Sequence, residues 1–182
     1  MKHINKIILP ILVLGLSIAF SQTDTNIASH NIAVTIPTIA LLDIEPANGN
    51  AISITLEASG EAGLPFTSQT DNSLWLNVTS IVTSGASNDI SVSINQTVPG
   101  LDLKVVAASY AGLGKGSWGT SSGEVTLNTI DQTLIDGITS GYTANGVGNG
   151  FQLTYTVDPD ESTFDALEAS SPSIEVTYTF AP

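Results

Sequence analysis

Seventeen carboxylates, four lysines, two histidines and no cysteine or arginine set the chemistry open to this chain. Without cysteine there is no thiolate nucleophile, no sulfur-ligated metal and no disulfide. A catalytic histidine needs an orienting partner and a rigid seat. His30 stands in a polar stretch with neither in view and reads as a loosely held surface residue. Paired carboxylates are what remains for acid–base chemistry, because glycoside hydrolysis needs only two of them at a fixed separation. Sequence spacing does not supply that separation, and a small glycoside hydrolase or lyase is the third of three readings. The densest acidic group is Asp158-Pro159-Asp160-Glu161. Oxygen-rich loops of this kind can coordinate calcium, which makes Asp158, Asp160 and Glu161 weak calcium candidates. The group lacks the EF-hand spacing, so a solvated loop between strands is preferred. No cofactor and no enzymatic activity are expected.

Aromatic residues are the other candidates. Trp75 takes the polar parity of its strand, opposite Leu74 and Leu76, while Trp118 sits in the glycine-rich stretch 112–119 and Tyr110 just before it. An exposed aromatic ring can stack on a sugar or fill a partner's pocket, and it can equally cap its own core, the reading preferred here. The glycines are not a phosphate cradle, since the Gly-Lys-Ser/Thr ending is missing.

The elements that would position these residues begin after a leader. Residues 1–21 combine Lys2 and Lys6, an apolar run from Ile7, and Ala19-Phe20-Ser21, which is the layout of a secretory signal peptide with cleavage before Gln22. Pro10 and Gly15 interrupt the run, and it is short for a bilayer span. The chain is expected to be exported to the extracellular space or cell surface, with no transmembrane segment after cleavage. Removing residues 1–21 from 182 leaves 161, enough for one domain with a core. All 17 Asp and Glu lie after Ser21 against Lys104 and Lys115 alone, a net charge of −15. Such a surface argues against nucleic acid and anionic lipid.

Period-two alternation then recurs from end to end. It predicts half-buried strands through Ile52, Ile54 and Leu56, through Leu74, Leu76 and Val78, and through Ile90, Val92 and Ile94. Further strands are expected at 101–107, at Val125 and Leu127, through Phe151, Leu153, Tyr155 and Val157, and through Ile174, Val176, Tyr178 and Phe180. Turn chemistry is read at 46–50, 60–65, 84–89, 99–100, 112–123 and 141–150. Residues 130–138 and 164–169 could make a turn or two of helix. About eight strands so punctuated predict an all-β, immunoglobulin-like antiparallel β-sandwich at 32–182, after a polar extension at 22–31.

Residues 32–44 depart from this pattern. Ile32, Val34 and Ile36 alternate, Pro37 removes a donor, and 39–42 are apolar on both faces. One reading is a first strand that kinks at Pro37 and crosses between sheets. The other is an extended segment that adds itself to the open sheet edge of a neighbouring molecule.

The leader, the Thr/Asn/Gly-rich acidic domain, the alternating segment 31–44, the block 141–157 and the terminal strand 174–180 together resemble pilus subunits of the chaperone-usher type. The resemblance implies an incomplete immunoglobulin-like sandwich completed by the N-terminal extension of the next subunit. It places Ile32, Val34 and Ile36 at the donor positions. The leading expectation is therefore a secreted or cell-surface structural subunit, fimbrial or adhesin-like, that associates with itself or with other surface subunits. The alternative is an extracellular carbohydrate-binding module that uses Trp75, Tyr110 and Trp118 to hold glycans.

Overall fold

The computed structural model describes residues 26–46 and 48–181, so the leader and its cleavage site lie outside the described residues. Two units are distinguished, Met1–Thr35 and Ile36–Pro182. In the first, the described residues form neither helix nor strand.

The second unit is an antiparallel β-sandwich of twelve strands and one 3-10 turn, Phe164–Ala166. Eight strands are six residues or longer: β1 (Ile39–Glu45), β5 (Trp75–Ile81), β6 (Asn88–Ile94), β7 (Leu101–Ala107), β8 (Lys115–Ser121), β10 (Gln132–Tyr142), β11 (Phe151–Pro159) and β12 (Val176–Ala181). Four are short: β2 (Glu57–Ala58), β3 (Phe66–Thr67), β4 (Gln69–Asp71) and β9 (Glu124–Thr126). The hydrogen-bonded order is β12-β6-β10-β5-β11-β7-β9, with β1 on the other edge of β5, β8 on that of β10 and β4 on that of β11; β2 and β3 make a separate hairpin. Strand β5 joins the layers, because Trp75 and Leu76 pair with Gln152 and Phe151 of β11 while Thr79 and Ser80 pair with Tyr142 and Gly141 of β10.

Alternation places the core as expected. Leu76, Val78, Ile90, Val92, Val105, Leu153 and Tyr155 are buried on the inner faces, and each such aliphatic side chain contributes about 1.5–3 kcal/mol. Across the core the hydroxyls of Tyr155 on β11 and Tyr178 on β12 meet at 2.5 Å. Burial pushes Tyr155 up to about 12, against a smaller opposing effect of the bond to Tyr178. Tyr178 is raised too, first by burial and then by the neighbouring Tyr155.

Four expectations are corrected. Residues 130–138 are not helical: β10 carries Leu134, Ile135 and Ile138 all fully buried, a helix-like spacing that a strand achieves through register shifts at 133/135 and 135/138. The glycine-rich stretch 112–123 is not one long turn but contains β8, which runs against β10. Glycine is required there because the backbones nearly touch; a Cβ on Gly119 would strike the Asp136 carbonyl. The stretch through Ile52, Ile54 and Leu56 stays outside the ladders, with Ile52 and Ile54 half-buried on the core. Finally, the first strand does not run from Ile32 through a kink at Pro37; it begins at Ile39.

Candidate functional site

The donor-strand candidates present an apolar ladder to solvent. Ile32 is 77% exposed, Val34 76% and Ile36 71%, and none of them lies in a strand. Extended apolar residues at period two suit strand addition, since side chains on one face fill pockets while the backbone pairs. Among the described residues, β1 is paired only with β5 and β12 only with β6. The two strands come close to each other without a ladder between them. Leu42 and Ile44 of β1 and Val176, Tyr178 and Phe180 of β12 pack against the core yet stay half-buried. That seam carries apolar side chains beside unpaired strand edges, the arrangement that invites another strand.

The aromatic candidates are only partly brought together. Tyr110 stacks on Trp118 with ring centroids 4.4 Å apart and meets the buried Phe151 edge-on at 6.2 Å. The far end of the Trp118 indole lies over Gly141, where a Cβ would come within 3.0 Å of Cη2. The aromatic ring covers the strand position that the glycine leaves bare. Trp75 takes part in no ring contact among the described residues and stands at the start of β5, between Glu45 and Gln152. Two of the three proposed sugar platforms are thus engaged with each other.

They brace the loop that follows β10. The Tyr110 hydroxyl donates to the Thr143 carbonyl at 3.3 Å. Thr143 is buried, its Oγ1 accepting from the Val78 amide at 3.0 Å and donating to the Ala144 carbonyl at 2.8 Å. Asn77, also buried, accepts from the Gly146 amide and donates to the Asn149 carbonyl, both at 2.6 Å. Asn149 in turn accepts from the Leu113 amide at 3.2 Å, linking this loop to the start of β8. Sequence reasoning placed Asn77 on a polar parity and 141–150 in a turn, but nothing in either pattern shows that one grips the other across 69 residues. Thr143, Asn149 and the exposed Tyr142 were missed for the same reason.

The acidic cluster is internally engaged. Asp158 Oδ2 lies 2.8 Å from Lys104 Nζ, with Glu124 Oε1 on the other side at 3.6 Å. The Lys104 ammonium and the Ser68 hydroxyl hold the Asp158 carboxyl below its usual range, and the same bond to Asp158 raises Lys104. The contact favours the charged form of both groups and makes them an ion pair. Asp160 accepts from Ser162 Oγ and Thr163 Oγ1, each at 2.6 Å, which lowers its pKa. These bonds close the turn leading into the 3-10 segment. Glu161 is exposed. Among the described residues no group of three or more His, Cys, Asp or Glu is placed to hold a metal ion, and no helix is long and apolar enough to cross a membrane.

What fold and site define is an antiparallel sandwich with an open seam, an exposed apolar N-terminal segment and a pinned loop at β10–β11. No protein-family signature, curated protein or solved structure matches the chain.

Proposed function

We propose that this chain is a secreted or cell-surface structural subunit, of fimbrial or adhesin type, that assembles through its sheet edges. The observation that carries the reading is the ladder of Ile32, Val34 and Ile36, each more than two-thirds exposed in a stretch without strand structure. A contiguous row of exposed large apolar residues, unlike a single one, marks an interaction surface. The acceptor in this reading is the seam between β1 and β12. An incoming strand would pair with a free edge there and set its alternate side chains against Val176, Tyr178 and Phe180. Main-chain pairing would supply affinity, and the match of apolar rows would fix the register.

Export through residues 1–21 belongs to the same proposal, and it assigns no catalytic step and no cofactor. Deletion of residues 22–36 tests it. The truncated protein should fold, because the first strand of the described sandwich begins at Ile39, and should no longer assemble. Assembly equal to that of the longer chain would refute the donor role.

A further inference from the structure

Beside the loop pinned by Asn77 lies an open depression of about 300 Å³ on the outer surface of β1, β5 and the end of β10. Its floor is a cross-strand row: Leu41 is directly opposite Thr79, and Thr79 directly opposite Tyr142. Residues opposite one another project to the same side of a sheet, so the three share one face. Tyr142 is 51% exposed and Leu41 62%. Asp43 and Asn145 stand at the margin. Of the Asp43 oxygens, Oδ1 accepts from the Ile44 amide at 2.9 Å, while Oδ2 and the Asn145 side-chain amide make no hydrogen bond among the described residues.

The rim is built and rigid. Thr143 and Asn77 fasten it with the bonds described above. Between them Ala144 sits at φ 70°, the one residue other than glycine in left-handed backbone among the described residues. A side chain there costs about 1–2 kcal/mol, and such strain persists only where the surroundings enforce it.

We propose that this depression binds one or two rings of a neutral carbohydrate chain, with Tyr142 as the stacking platform and Asp43 as the acceptor of ring hydroxyls. A half-exposed tyrosine offers a flat apolar face to the C–H side of a sugar and keeps its own hydroxyl in water. The carboxylate, amide and threonine hydroxyl around it suit a ligand that presents donors and acceptors all round its edge. The volume is at the small end for ligand sites, and the open shape admits the interior of a chain as readily as its end. The net charge of −15 on the chain from Gln22 disfavours anionic sugars. The site is distinct from Tyr110 and Trp118, whose rings are stacked on each other, and it does not depend on strand exchange.

The test is ligand-detected NMR and calorimetry on the chain from Gln22, with short β-1,4-glucan, chitin and mannan oligosaccharides and a sulfated oligosaccharide. At least one neutral oligosaccharide should bind at millimolar concentration. Tyr142→Ala should weaken it about tenfold, Asp43→Asn several-fold, and Tyr142→Phe little. Tyr142 is half-exposed and lies on β10, away from the β1–β12 seam, so its variants should fold, as an unchanged Tm would show, and should assemble as the parent does. Failure of all three neutral oligosaccharides to bind, a preference for the sulfated one, or full binding by Tyr142→Ala would overturn the proposal and leave the assembly reading untouched.

Discussion

Tyr110 and Trp118 stack face to face with ring centroids 4.4 Å apart, and the indole edge continues over Gly141 on the neighbouring strand. The stack lies between β8 and β10 and, through the Tyr110 hydroxyl, reaches the loop after β10. Trp118→Ala should remove the stack and bare the backbone at Gly141. Full truncation of a buried aromatic costs about 3–5 kcal/mol, and Trp118 is half-buried, so a loss of roughly 2 kcal/mol is expected in chemical unfolding. Gly141→Ala should destabilise comparably, because a Cβ there would lie 2.6 Å from the Lys115 carbonyl oxygen.

Asn77 holds the 143–150 loop through two bonds of 2.6 Å from a buried position. Asn77→Ala would leave the part-buried Gly146 amide and Asn149 carbonyl without these partners, at about 1 kcal/mol each. The expected signature is local: faster hydrogen exchange at the Gly146 amide, with core amides of β6 and β7 slowed or hastened only by the global change in stability. Uniform loss of protection would contradict the loop-anchor role.

Alkaline titration should expose the Tyr155–Tyr178 pair. Tyr155 ionises near 10 when unfolded and near 12 when folded, so the folded state keeps its proton through that interval and the unfolded state loses it. Stability is full below pH 10 and falls as pH rises from 10 towards 12, by up to about 1.4 kcal/mol per pH unit for this group. Tyr178 is shifted in the same direction and adds to the slope. Tm measured against pH should show the decline, and the Tyr155→Phe/Tyr178→Phe double variant should flatten it.

Acid acts on the other face. The Asp158 carboxyl is lowered by Lys104, so its contribution is present above the ordinary carboxylate pKa and is lost as pH falls through the folded value, below about 3.8. Lys104→Met should raise the Asp158 pKa in a carboxyl NMR titration. The stability cost should stay within about 1 kcal/mol, since the pair is near the surface.

Much of the fold was legible because alternation reports a half-buried strand directly. The strand at Leu101–Ala107 falls where the pattern puts it, and Phe151–Pro159 differs only at its end. The pattern misled wherever backbone geometry broke the period. Bulges in β10 set Leu134, Ile135 and Ile138 inward together and mimic a helix face. In β8 glycines stand where close approach of β10 forbids a side chain, so a strand carries a turn's composition. The stretch through Ile52 and Ile54 alternates and packs on the core but gains no ladder, and alternation alone does not tell pairing from packing. The candidate site was less legible. Asn77, Thr143 and Tyr142 converge through contacts more than sixty residues apart, which no local spacing encodes.

The central claim is that the exposed Ile32, Val34 and Ile36 ladder drives assembly. Its most direct test is light scattering with electron microscopy on the chain from Gln22 beside the Ile32→Asp/Val34→Asp/Ile36→Asp variant, at equal concentration in near-physiological salt. Filaments or a ladder of oligomers for the parent and a folded monomer for the variant are the predicted result; a parent that stays monomeric, or a variant that assembles equally well, would contradict the account.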